Sequence, residues 1–122
     1  MIRILVTAAL VALSSTASAQ AIPVALSEWK IGMQRDTVKA GTVTFRVTNN
    51  GVMNHALYVR GEGVDEGTRE ISTRQSASIT LKLKPGTYEF FCPMSDESHK
   101  LAGMARKLVV TPADPQAAPK KP

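Results

Sequence analysis

Three side chains that bind soft metals lie within one short segment in the C-terminal third of the chain. They are the thiol of Cys92, the imidazole of His99 and the thioether of Met104. This combination of donors suits copper better than the other common metals. Cys92 is the only cysteine of the chain, and His99 is one of two histidines. The segment from Cys92 to Met104 is therefore the first candidate for a metal site.

This segment joins two predicted β-strands. The turn signal Pro85-Gly86 precedes a β-branched and aromatic run from Thr87 to Phe91, and a second strand-like run extends from Ala105 to Thr111. Cys92 is therefore expected at the end of a strand, with the other two donors on the loop that follows.

A blue-copper site combines two histidines and a cysteine in one plane with a weak axial methionine. His55 is the only remaining candidate for the second imidazole. Met94 competes with Met104 for the axial position, because it also lies in the segment and thioethers are flexible donors. Zinc competes with copper because cysteine and histidine bind both metals, but a thioether is a poor zinc ligand.

The first 19 residues have the features of a secretory signal peptide. Arg3 precedes the apolar run Ile4 to Leu13, and Ala17-Ser18-Ala19 is a small-residue cleavage site. The apolar run is about half the roughly 20 residues that span a bilayer, which favours cleavage over an uncleaved anchor. We therefore expect a periplasmic protein without stable membrane insertion.

Residues 20–111 are then expected to form one domain, and residues 112–122 a disordered tail, because this Pro- and Ala-rich segment has almost nothing to bury. The chain has 15 Lys and Arg against 10 Asp and Glu, a net charge of +5. The basic residues are scattered, which argues against nucleic acid as a partner.

An unpaired cysteine is a chemical liability in an oxidising compartment, so the presence of Cys92 has to be explained. It is either a small core residue or a metal ligand.

Alternating apolar residues predict further strands. The clearest is Thr42–Asn49, with Val43, Phe45 and Val47 on one face. The segment Arg60–Ala77 is polar and without periodicity, which is typical of a surface excursion. Short strands with turns between them and no amphipathic helix indicate a β-sandwich or barrel. The other predicted strands are Ile22–Met33, Ala56–Val59 and Ser78–Leu83.

On these residues the chain resembles the cupredoxins, the small blue-copper proteins. The resemblance covers nearly all of residues 22–111 and implies an all-β, Greek-key β-sandwich of the cupredoxin type with roughly six to eight strands. Carried over residue by residue, it implies one copper per chain, cycling between Cu(I) and Cu(II), with His55, Cys92 and His99 as ligands and Met104 as the axial ligand. The motifs that carry it are Leu26-Ser27-Glu28-Trp29, Ala40-Gly41-Thr42-Val43-Thr44-Phe45, Asn49-Asn50-Gly51 before His55, Pro85-Gly86-Thr87-Tyr88 before Cys92, and Gly103-Met104.

The resemblance also implies an activity, the transport of single electrons by a monomer. Redox partner proteins are expected to dock transiently near His99, with the small or apolar residues from Leu101 to Gly103 beside it. Small carriers of the family have an asparagine that braces the cysteine loop where this chain has Ala56. We therefore expect this brace from another residue, with Asn50 and Ser95 as candidates, or a weaker brace.

Two other functions remain open. A copper chaperone would hold Cu(I) without redox cycling, using Met53, Met94 and Met104. A copper enzyme, such as a nitrite reductase or a multicopper oxidase, needs a second copper site and further histidines, and both histidines of this chain are already assigned.

Overall fold

The computed structural model describes residues 20–113 and Ala9, and this part of the chain is nearly all β-structure. The predicted signal peptide, apart from Ala9, and most of the predicted tail lie outside the described residues. None of the helical structure in the described part has the length and apolar character that a bilayer-spanning segment needs. In chain order the elements are β1 (Gln20–Ser27), β2 (Lys30–Gly32), β3 (Thr37–Lys39), β4 (Gly41–Asn49), β5 (Tyr58–Gly61), β6 (Val64–Gly67), β7 (Ser76–Leu83), β8 (Gly86–Phe91), α1 (Ser98–Leu101) and β9 (Ala105–Thr111).

The strands form two sheets. One sheet has the order β2-β1-β4-β7, and the other has the order β3-β9-β8-β5-β6. Neighbouring strands are antiparallel except for the pairs β1–β4 and β3–β9, which are parallel. The chain passes from one sheet to the other after β2, β3, β4, β6 and β7. This two-sheet arrangement confirms the predicted all-β sandwich.

The core fills the space between the two sheets. Val43, Phe45 and Val47 of β4 are fully buried, as their alternation predicts. Phe45 meets Phe90 of β8 edge to face, with ring centroids 5.0 Å apart. Aromatic pairs of this kind contribute about 0.5–1.5 kcal/mol beyond the burial of their area. The contact joins the two sheets close to the strand end that carries Cys92.

Residues 20–113 contain nine strands instead of the predicted six to eight. The three short strands β2, β3 and β6 were not predicted as separate strands. The predicted first strand divides into β1 and β2, with a turn at Glu28 and Trp29. Strand β3 lies in a stretch that was too polar to predict a strand. Strand β6 lies in the segment that was predicted to be a surface excursion. It has no alternating apolar residues, because an edge strand does not need an alternating apolar face.

Candidate metal centre

Two histidines and the cysteine converge on one buried point at the end of the sandwich. Nδ1 of His55 lies 3.2 Å from Nδ1 of His99, and Sγ of Cys92 lies 4.0 Å and 3.7 Å from these two nitrogens. All three side chains are buried. The structure thus brings together three predicted ligands that are 37 and 7 residues apart along the chain.

The spacing of these donors fits a single first-row metal ion. The point equidistant from the three atoms is about 2.1 Å from each, close to the roughly 2.0–2.3 Å of metal bonds to imidazole nitrogen and thiolate sulfur. Two nitrogens and one soft sulfur are the equatorial donors of a blue-copper site. The residues present therefore fit copper in both distance and chemistry.

Backbone hydrogen bonds hold the Cys92–Met104 segment in a closed loop. Cys92 N donates to Met104 O (3.1 Å), and Met104 N donates to His99 O (3.1 Å). The chain reverses through three residues with positive φ, Ser95, Asp96 and Glu97, before α1 returns His99 to Cys92. The loop is therefore anchored at three of the predicted ligands, despite the six residues between Cys92 and His99.

The two methionines that compete for the axial position differ in burial. Met104 is fully buried, and its backbone is bonded to Cys92 and His99. Met94 is only partly buried and packs against the core. This difference favours Met104, although the assignment of the axial ligand stays a prediction.

His55 is held by a loop that is fixed from two sides. Its backbone forms an isolated bridge with Ile71, through His55 N to Ile71 O (3.1 Å) and Ile71 N to His55 O (2.7 Å). Asn49, fully buried at the end of β4, donates from Nδ2 to Met53 O (2.7 Å) and Ile71 O (2.8 Å) and accepts from Gly51 N (2.9 Å). Asn49 therefore braces the His55 loop, which is not the cysteine loop that Asn50 or Ser95 was expected to brace.

Glu28 contacts the far side of the His55 ring. Its Oε1 lies 2.7 Å from Nε2 of His55 and accepts from Met53 N (2.9 Å), and both its oxygens lie 3.1 Å from Val52 N. The backbone N–H of Met53 is the largest of the influences that together lower the pKa of Glu28 to about 2. The carboxylate is therefore ionised near neutral pH, and it accepts hydrogen bonds from the loop and from the imidazole.

Trp29 covers the histidines from the solvent side. Its ring centroid lies 4.9 Å from that of His99 and 6.3 Å from that of His55, and both contacts are edge to face. His99 is only 3% exposed, whereas Trp29 is 41% exposed. Burial is the largest cause that lowers the pKa of His99, and the neighbouring His55 lowers it further. His99 is thus favoured in the neutral form that can bind a metal.

Lys100 attaches the short helix α1 to strand β8. Its Nζ lies 2.7 Å from Glu89 Oε1 and 4.4 Å from the centroid of the Phe91 ring. Such cation–π contacts contribute about 0.5–1 kcal/mol at exposed sites. The lysine next to His99 therefore fixes the loop from outside, on the strand that ends at Cys92.

The comparison with protein families identifies the class. The family model of the cupredoxin-like domain matches residues 1–102, which include His55, Cys92 and His99 but end before Met104. The chain therefore belongs to the cupredoxin-like family. No match was found among curated proteins.

Solved structures share the fold at low sequence identity. Auracyanin from the photosynthetic bacterium Roseiflexus castenholzii, in its dithionite-reduced form, superposes with a TM-score of 0.67 at 21% identity, covering 79% of this chain and all of that one. Auracyanin A, a "blue" copper protein of Chloroflexus aurantiacus, gives 0.57 at 20% identity, covering 73% and 99%. Blue copper oxidase from Nitrosomonas europaea gives 0.64 at 16% identity, covering 80% of this chain but 40% of the oxidase. These similarities establish the cupredoxin fold.

Proposed function

We propose that the protein is an exported, mononuclear blue-copper protein that carries single electrons between redox partners. The observation that carries this proposal is the convergence of His55 Nδ1, His99 Nδ1 and Cys92 Sγ within 4.8 Å of one another in a buried site. In this proposal these three residues hold one copper, and Met104 is the axial ligand.

The protein's part in electron transfer is to hold the donors still. Bound copper supplies a one-electron couple between Cu(I) and Cu(II), whose coordination preferences differ. The end of β8 holds Cys92, and the bridge to Ile71 holds His55. Hydrogen bonds between Cys92, His99 and Met104 close the loop around the donors. Donors fixed in this way rearrange little between the two states, which favours fast transfer.

An electron carrier explains the composition of the site better than an enzyme does. The chain has two histidines, and both lie in this one group. A second copper site of the kind that copper nitrite reductases and multicopper oxidases use would find no imidazole in this chain. We therefore place the protein with the carriers.

The test is the visible and electron-spin spectrum after Cu(II) is added to the purified protein. An intense thiolate charge-transfer band is expected at one copper per chain, and Cys92→Ser should abolish it, because serine supplies no thiolate. Ser95→Ala is the matched control, since this residue is exposed and its change should leave the band intact. A weak band typical of nitrogen and oxygen coordination would contradict the blue-copper assignment.

A copper chaperone is the alternative function, and one observation favours it. Met53 lies in the His55 loop with 43% of its surface exposed, where a thioether could receive Cu(I) from another protein. A chaperone would hold Cu(I) without cycling. Reversible reduction and reoxidation with the thiolate band restored would support the carrier, and copper held only as Cu(I) would support the chaperone.

Export is part of the same proposal. It rests on Arg3, the apolar run to Leu13 and the Ala17-Ser18-Ala19 cleavage site. The intact mass of the protein recovered from the periplasm should correspond to a chain that begins at Gln20. A recovered protein that retains residues 1–19 would contradict cleavage.

A further inference from the structure

A carboxylate lies behind the His55 ring, on the side away from the other two donor groups. Glu28 is in the turn between β1 and β2, and its side chain is 22% exposed. It reaches His55 Nε2 at 2.7 Å and also accepts hydrogen bonds from the backbone of Val52 and Met53. One side chain thus fixes both the imidazole and the loop that leads to it.

The two nitrogens of His55 have different neighbours. Nδ1 faces His99 Nδ1 and Cys92 Sγ, whereas Nε2 faces only the carboxylate in the described contacts. An ionised carboxylate can accept a hydrogen bond but cannot donate one. The hydrogen bond to Glu28 therefore places the imidazole proton on Nε2. Nδ1 keeps its lone pair, and this lone pair points toward the donor group.

The loop is shaped to admit this carboxylate. At Gly51, a Cβ would meet both carboxylate oxygens of Glu28. The φ angle of Gly51 is not in the left-handed region, so space, rather than backbone conformation, restricts this position to glycine. The turn after β1 and the loop before His55 therefore meet closely enough to bury the contact in part.

We infer that Glu28 is a positioning residue, which fixes Nδ1 of His55 as the metal-binding nitrogen and whose negative charge favours Cu(II) over Cu(I). The inference rests on the proposed function, because it concerns the same copper site. A carboxylate bonded to a ligating histidine orients the ring and raises its basicity. A fixed negative charge near the ion stabilises the more highly charged state.

The charge is tested with Glu28→Gln, which keeps the shape and an acceptor oxygen but removes the charge. Changes to such supporting residues typically cost 10–100-fold in metal affinity. We expect the Cu(II) affinity, measured against a competing chelator, to fall at least tenfold more than the Cu(I) affinity. A tenfold difference corresponds to a rise of about 59 mV in the reduction potential of a one-electron couple. Glu66→Gln is the control, because Glu66 is exposed on edge strand β6 and loses the same charge.

The positioning role is tested without metal. In the metal-free protein, nitrogen NMR of the imidazoles should show the His55 proton on Nε2, and Glu28→Leu should reduce this preference because leucine accepts no hydrogen bond. Thermal unfolding of both variants checks that they fold. If Glu28→Leu does not fold, Glu28→Asp replaces it, since its carboxylate is one methylene too short to keep the 2.7 Å contact.

The outcomes separate this inference from the proposed function. If the unmodified protein gives no thiolate band with Cu(II), the proposed function fails, whereas the NMR result still decides the positioning role of Glu28. If Glu28→Gln lowers the two affinities equally, or if the His55 proton stays on Nε2 in Glu28→Leu, Glu28 is only a brace for the loop. Either result would overturn the inference.

Discussion

At the scale of single residues, Met104 and Met94 are the two candidates for the axial sulfur of the proposed copper site. Met104 is fully buried and its backbone is hydrogen-bonded to Cys92 and His99, whereas Met94 is only partly buried and follows a proline. A weak axial ligand tunes a blue-copper site without holding the metal by itself. Exchange of the axial sulfur should therefore change the spectrum and the potential more than the copper content.

Met104→Leu is expected to change the charge-transfer spectrum, because leucine has the volume of methionine but no donor atom. A swap that conserves volume costs less than about 1.5 kcal/mol, so the fold should persist. Met94→Leu is the matched control and should leave the spectrum nearly unchanged. Visible and electron-spin spectra of both copper-loaded variants check this, and the reverse pattern would assign the axial role to Met94.

The residues that support the donors were harder to predict than the donors themselves. Cys92 and His99 could be predicted because their residue types are rare in this chain and they share one loop. Glu28 and Asn49 had no such signal, because their roles arise only when the turn after β1 and the end of β4 meet the His55 loop. Lys100 likewise pairs with Glu89 of β8 only because the fold brings α1 and β8 together.

At the scale of elements, the longer strands with one buried face were predictable, whereas the short edge strands β2, β3 and β6 were not predicted as separate strands. Strand β4 alternates strictly because its inner face fills the core. Strand β6 covers only the edge of its sheet, so its sequence carries charges and glycine. Ile71, predicted in a surface excursion, is buried in the core, and its backbone pairs with His55. Contacts that depend on tertiary structure overrode the local pattern here.

The turn between α1 and β9 depends on Gly103. Its φ is +131°, and a Cβ there would lie 2.8 Å from the carbonyl oxygen of Trp29. We expect Gly103→Ala to destabilise the metal-free protein by more than the roughly 1–3 kcal/mol of an unfavourable backbone conformation, because the loop must also move away from Trp29. The shift should also weaken copper binding, since His99 and Met104 lie on either side of this turn.

Gly41→Ala is the matched control for this prediction. Gly41 has a φ of +135°, but nothing lies within 4 Å of its Cβ position at the start of β4. Gly41→Ala should lose only the stability that the unfavourable backbone conformation costs, and it should leave the copper spectrum unchanged. Denaturant unfolding and copper titration of both variants measure these effects, and equal losses in the two variants would show that the contact with Trp29 contributes nothing.

At the scale of the whole molecule, the site lies at one end of the sandwich, and apolar side chains are exposed around it. Leu101 and Val52 are each 85% exposed, and Trp29 and Met53 are 41% and 43% exposed. Trp29 lies against His99, and Val52 and Met53 are in the loop bound by Glu28. Apolar surface of this kind suits brief contact with a redox partner, in which an electron must cross a short distance.

The last prediction is that electrons pass through this end of the molecule, and it can be tested without a known partner by measuring electron self-exchange. Two copies that meet at this end bring their Leu101 side chains close together, so Leu101→Glu should oppose like charges and slow exchange roughly tenfold, equivalent to about 1.4 kcal/mol. Leu101 is so exposed that its change should leave the copper spectrum and stability intact.

Lys82→Gln is the control, because it also lowers the net charge by one. Lys82 pairs with Thr42, which places it at the opposite end of the sandwich from Asn49 and therefore from the site. NMR line widths of mixed Cu(I) and Cu(II) samples give the rates. Repeating them at higher salt should restore part of the loss, because salt screens charges over about 10 Å at 0.1 M. Slower exchange in Lys82→Gln, with Leu101→Glu unaffected, would place the electron's exit elsewhere.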